Sequence, residues 1–151
     1  MLKQPARWTL GVLFSALFIL SLVLAACATP APDLEITGAW GRPSPQMAGM
    51  GAVYMQIANK GGQPDRLLGA ECPVAATVEV HETVMEGDVM KMNHLPGGLE
   101  IPAKGQVELK PGGYHLMLID LTEPLQTGEI TCTLQFETSG QVEVTVAIRE
   151  S

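Results

Sequence analysis

The stretch Val142-Glu143-Val144-Thr145-Val146 alternates apolar and polar side chains without interruption. Successive side chains of an extended chain point to opposite faces, so this run is a strand with one buried face and one wet face. Runs rich in Val, Ile, Thr and Leu recur upstream: Leu34 to Trp40, Ala52 to Ala58, Thr77 to Val84, Val107 to Leu109, Tyr114 to Leu121 and Ile130 to Phe136, with Val142 to Ile148 the last. Turn-forming clusters separate them: Asn59-Lys60-Gly61-Gly62, Pro96-Gly97-Gly98, Pro111-Gly112-Gly113 and Ser139-Gly140. No stretch beyond residue 33 carries a sustained helical period with caps. Many short strands in a domain of this length predict an all-β sandwich or Greek-key barrel.

The N-terminus reads differently. Lys3 and Arg7 precede an apolar segment from Trp8 to about Leu24, and Leu24-Ala25-Ala26-Cys27 follows at once. That order of charge, apolar core and small residues is a secretory signal over residues 1–26. Its end resembles a bacterial lipobox, which implies lipidation of Cys27, cleavage before it and a membrane anchor through acyl chains. An uncleaved anchor is the alternative, since about 17 to 25 apolar residues span a bilayer. Both place the body outside the cytoplasm, in the periplasm or on the outer face of the cytoplasmic membrane.

Residues 27–33 then form a short proline-stiffened tether, and residues 34–151 one domain. The whole chain carries −7; without residues 1–26, which hold two basic residues and no acidic ones, the charge is −9. This excludes a nucleic-acid partner, because such binding relies on phosphate neutralisation by Lys and Arg. Cys72 and Cys132 remain besides Cys27. Outside the cytoplasm a disulfide is expected, closing a loop worth roughly 4 kcal/mol in chain-entropy terms; free buried thiols or a part in a metal site are the other readings.

The chemistry-bearing residues are His81, Met92 and His115-Leu116-Met117. Imidazole nitrogen with thioether sulfur suits copper(I), a polarizable cation preferring soft donors. In a strand over Tyr114 to Leu121, His115 and Met117 share a face while Tyr114, Leu116 and Leu118 take the other. The two stand roughly 6.5 to 7 Å apart, close enough to converge on one ion. His81 lies toward the end of the Thr77 to Val84 run, with Val78 and Val80 opposite. A turn at Glu86-Gly87-Asp88 would return Met92 beside His81, so three segments would meet at one barrel rim.

His81 and Met92 have ten residues between them, Glu82 to Lys91, and His115-Leu116-Met117 follows. With Val80-His81-Glu82-Thr83, Gly98-Leu99-Glu100-Ile101-Pro102-Ala103 and Leu109-Lys110-Pro111-Gly112-Gly113-Tyr114, this pattern resembles the periplasmic copper chaperone family called PCuAC, from about Ala39-Trp40 to the end. The interval from Met92 to His115 is one residue longer than the family's, which the turn around Leu95 to Gly98 would absorb. The resemblance implies a cupredoxin-like Greek-key β-barrel or sandwich, with one copper(I) per monomer held by His81, Met92, His115 and Met117. It also implies delivery to the copper-site subunit of a respiratory terminal oxidase, with a Sco-type thiol protein as collaborator.

Met90, His94 and Met85 are auxiliary donor candidates: Met90 shares a face with Met92 if that segment is extended, and Met92-Asn93-His94 mirrors His115 and Met117. Otherwise His94 is a solvated loop residue; Met85 reads as a lid or reserve donor, with packing as its alternative. Met47, Met50 and Met55 read as packing, and Trp40 and Tyr54 as core support. Glu82 reads as a solvent-facing carboxylate, with a hydrogen bond to a ligand histidine as the alternative. Imidazole ligands must be neutral, so affinity should fall below about pH 6.5.

An electron-transfer cupredoxin would need a cysteine thiolate among its ligands, and neither Cys72 nor Cys132 sits in such a cluster. No nucleophile, base and orienter constellation marks an enzyme. Copper sequestration for tolerance and a metal-free structural envelope lipoprotein are the remaining alternatives.

Overall fold

The computed structural model describes residues 30–44 and 49–150. The signal over residues 1–26, the lipidation of Cys27 and the packing expected of Met47 concern residues outside these. Among the described residues every regular element is a strand: β1 (Leu34–Gly41), β2 (Met50–Asn59), β3 (Asp65–Glu71), β4 (Ala75–Glu86), β5 (Val89–His94), β6 (Leu99–Ile101), β7 (Gln106–Leu109), β8 (Tyr114–Leu121), β9 (Gly128–Phe136) and β10 (Gly140–Ile148). They form one sheet in the order β5-β4-β8-β7-β2-β1-β10-β9-β3-β6, with β8 also paired to β2. Neighbours such as β4 and β8, or the parallel β1 and β10, are far apart in sequence, which is the crossover connectivity of a Greek key.

The sheet is rolled, and one core fills it. The alternation seen in sequence supplies that core: Val53, Met55 and Ile57 from β2, Val78 and Val80 from β4, Leu116 and Leu118 from β8, and Val146 and Ile148 from β10 all face inward and are buried. At the closure β3 passes so near β4 that a Cβ on Gly69 would stand 3.3 Å from the Val78 carbonyl oxygen. Gly98, with φ +72°, turns the chain into β6, and a Cβ there would sit 2.5 Å from Leu67 O. A disulfide joins Cys72, just after β3, to Cys132 in β9, with both cysteines buried in the core.

β3, β5 and β6 extend the seven strand runs read from sequence, and each lacks that signal for its own reason. A register shift between Leu67 and Gly69 breaks the alternation of β3. β6 has three residues. β5 is exposed along its whole length, so no buried face imposes a pattern on it.

Two buried polar side chains tie the turns down. Asn59 Oδ1 accepts from the N–H groups of Asp33 and Gly61, and its Nδ2 donates to Gln63 O. The Asp65 carboxylate accepts from the backbone N–H of Arg66, Thr138 and Ser139 at 2.7, 2.9 and 2.9 Å, pinning the β9–β10 turn to β3. Burial pushes the Asp65 carboxyl up, but these bonds together with the Ser139 side chain outweigh it and hold it below the usual carboxylate range. Asp65→Ala is therefore expected to cost about 3 kcal/mol in urea unfolding at neutral pH, since it strands N–H donors that now meet a charge. A depressed folded-state pKa contributes stability above the unfolded carboxyl value and loses it as pH falls through the folded one. The gap between parent and variant should accordingly narrow on acidification; a constant gap would refute the charge-based account.

Candidate metal centre

Leu116 and Leu118 commit β8 to the core, so His115 and Met117 stand on its outer side. The ladder to β4 sets His81 opposite His115 and Glu79 opposite Met117. On the far side of β4, β5 sets His94 opposite His81, Met92 opposite Thr83 and Met90 opposite Met85. Directly paired residues share a face, so all of these project from one outer surface of three adjacent strands. The register is set by the two-residue turn Gly87-Asp88, whose first residue has φ +64°, the conformation a II′ hairpin assigns to glycine. A slip by one residue would turn Met90, Met92 and His94 to the opposite face.

The imidazoles are oriented by groups behind them. His115 Nδ1 donates to Gly113 O at 3.1 Å, which leaves the Nε2 lone pair free. His81 Nε2 donates to Glu79 Oε2 at 2.9 Å, which leaves Nδ1 as its lone-pair nitrogen. That atom is the one buried side-chain nitrogen or oxygen among the described residues without a hydrogen-bond partner. A buried polar atom left empty costs free energy, so the arrangement fits a site awaiting a guest. The ring centroids of His81 and His115 are 5.9 Å apart, and His94 stacks on His81 at 5.4 Å. The hydrogen bond from His81, with the charges of His94 and His81 also favouring ionisation against desolvation, holds the Glu79 carboxyl below its ordinary value.

On the other flank, β2 brings Tyr54 to 6.4 Å from His115, and Trp40 packs on Tyr54 at 4.8 Å. The guanidinium groups of Arg42 and Arg149 each lie 5.8 Å from the Trp40 ring centroid. Burial raises the Tyr54 phenol, with Arg42 opposing, so it remains neutral at physiological pH. A groove of about 470 Å³ runs between this flank and the β4–β5 hairpin, lined by Met50, Tyr54, Met90, Met92, His115 and Met117.

Several sequence expectations are corrected by this geometry. The donor side chains share the outer face of the sheet across β8, β4 and β5, because the ladder aligns these strands side by side. Met92 is on the His81 face but two residue pairs further along, opposite Thr83; His94, a strand residue and not a loop residue, lies directly across from His81. Met50 is 53% exposed and walls the groove, whereas Met55 packs in the core as expected. Trp40 and Tyr54 support the outer face, since Tyr54 alternates with the buried Val53 and Met55. Glu82 is half-buried beside Tyr114, on the opposite face from His81. The carboxylate that does meet His81 is Glu79, which sequence reasoning overlooked; its position two residues before His81 on the same strand face was the available signal.

This rolled all-β sheet is the fold of PCuAC-type domains. The fold matches the "Copper-bound PCuAC domain from PmoF2" with a TM-score of 0.66 at 24% identity, over 80% of this chain and 96% of that one. It also matches the solution structure of CuI-DR1885 from Deinococcus radiodurans with a TM-score of 0.62 at 30% identity, over 84% of this chain and 83% of that one. Lxx21020 of Leifsonia xyli subsp. xyli, named as a lipoprotein, is 31% identical over 130 residues, covering 83% of this chain and 77% of the relative. The chain belongs to the LpqE-like family, described as one of lipoproteins, whose profile matches residues 34–148.

Proposed function

We propose that this protein binds copper(I) outside the cytoplasmic membrane as a lipid-anchored chaperone and delivers it to the copper centres of a respiratory oxidase. The observation that carries the reading is the orphaned, buried Nδ1 of His81 beside a His115 whose Nε2 is freed by Gly113, with Met92 and Met117 on the same face. These four residues would hold the cargo. Two imidazoles and two thioethers form a neutral, soft donor set, suited to copper(I) and poorly matched to harder divalent ions. The copper-bound state of the 30%-identical relative supports the same choice of metal.

Location follows from the lipobox-like Cys27, the lipoprotein naming of the relative and the Cys72–Cys132 disulfide, which suits an oxidising compartment. Met92 is 58% exposed, so one ligand is within reach of an incoming acceptor. Exchange of that thioether for an acceptor thiolate, as on a Sco-type protein or the oxidase copper-site subunit, would carry the ion away. This accessibility favours delivery over sequestration.

The test is copper(I) competition against a chromophoric chelator under reducing conditions, followed by mixing the loaded protein with a metal-free oxidase copper-site domain. One ion per chain and transfer on mixing are expected. Binding without transfer would mark a sequestering protein, and absent binding a structural lipoprotein. Glu79→Gln should weaken copper(I) roughly 10- to 100-fold, the usual effect of removing a carboxylate that orients a ligand imidazole. The same competition checks this; unchanged affinity would reduce Glu79 to a surface ion pair.

A further inference from the structure

Among the described residues, six large apolar side chains are markedly exposed, and four of them, Met85, Val89, Met90 and Met92, sit on the single β4–β5 hairpin at exposures of 58–64%. Exposed apolar side chains on an edge strand are a liability that folds ordinarily remove. β5 does end the sheet, and its other face, which holds Val89, carries the Lys91–Glu86 ion pair. The three methionines occupy the opposite face, which they share with His81, His94 and, farther along β4, Glu79.

Their register is specific. Met85 and Met90 are direct cross-strand partners, so their Cβ atoms stand about 4.5 to 5.5 Å apart, and Met92 follows Met90 on the same face at about 6.5 to 7 Å. Thioether arms of this length on one face of a two-residue hairpin can converge on a single ion. Three of the four exposed residues are methionine, and Met90 and Met92 continue into the groove that reaches His115 and Met117, with Met50 on its far wall.

We propose that Met85, Met90 and Met92 form a second, weaker copper(I) site, a loading position from which the ion passes into the four-residue site. The proposal rests on the copper(I) reading above and adds the route by which the cargo arrives. Three thioethers without an imidazole make a softer and weaker donor set than two of each, as a position that must release its ion requires. Met92 belongs to both sets. The ion stays bound to it while Met85 and Met90 are exchanged for His81, His115 and Met117, so copper remains monovalent throughout and no electron or proton source is needed. One ion occupies the pair of sites at a time.

The test has two arms. In the first, parent protein and Met85→Leu/Met90→Leu, which keeps the apolar shape and removes the sulfur, are mixed in a stopped-flow instrument with a weak copper(I) complex. The variant should load more slowly and reach the same final occupancy; equal rates would overturn the proposal. In the second, the protein carrying His115→Ala/Met117→Ala is titrated with silver(I), a redox-inert soft cation, while the methionine ε-methyl resonances are followed by NMR. Shifts of Met85, Met90 and Met92 are expected, and their absence would overturn the site. A parent that binds no copper(I) would defeat the chaperone reading, and the silver arm would then decide the hairpin site independently.

Discussion

Replacing His115 and Met117 together by alanine should abolish tight copper(I) binding while leaving the fold intact. The pair supplies one imidazole and one thioether from a single strand face, half of the donor set. The loss should therefore exceed the roughly 10- to 100-fold typical of changes that only reorient a ligand. The fold should persist because the core is built by the other face of β8, where Leu116 and Leu118 are 1% and 0% exposed and untouched by the change. His115 contributes one hydrogen bond to Gly113 and packing near Tyr54, so its removal should cost about 1–2 kcal/mol. Chelator competition reads the affinity and circular dichroism the fold. Undiminished affinity in a folded variant would shift the site to other donors and refute the four-residue assignment.

Cys72→Ala/Cys132→Ala should be the most damaging change to stability. The bond closes 60 residues of sequence, and that segment contains β4 through β8, hence every proposed copper ligand. Chain-entropy arguments and the usual cost of removing a native bond agree on about 2–5 kcal/mol, or a fall in Tm on the order of 10 °C. Thermal and urea unfolding of parent and variant measure it directly. An unchanged midpoint would show that the bond adds no net stability to that supplied by core packing. A corollary is that thiol reductants should lower the midpoint of the parent and leave the variant unaffected.

The legibility of the chain follows burial. Where one face of a strand is buried, alternation is enforced, and β2, β8 and β10 could be read from Ala52 to Ala58, Tyr114 to Leu121 and Val142 to Ile148. The opposite faces of His115 and Leu116 were legible for the same reason. β5 was not, because Val-Met-Lys-Met-Asn-His buries nothing and could equally have been a loop. With β5 went the register that sets His94, and not Met92, across from His81. Glu79 escaped notice because a carboxylate on a half-wet strand face is common; its significance arises only from a histidine two residues away whose far nitrogen is buried.

By itself, the sequence determined the all-β character, the family to which the chain belongs and the donor types available, since periodicity, turn residues and motif spacing are local and covalent properties. It also determined that His115 and Met117 must share a face. Only the tertiary structure decided that β8, β4 and β5 lie side by side, that the donors occupy the outer face of the sheet, and that Glu79 and Gly113 select which imidazole nitrogens remain free. Those facts depend on pairings between strands distant in the chain. Ladder hydrogen bonds are chemically alike at every register, and a single shared core chooses among them.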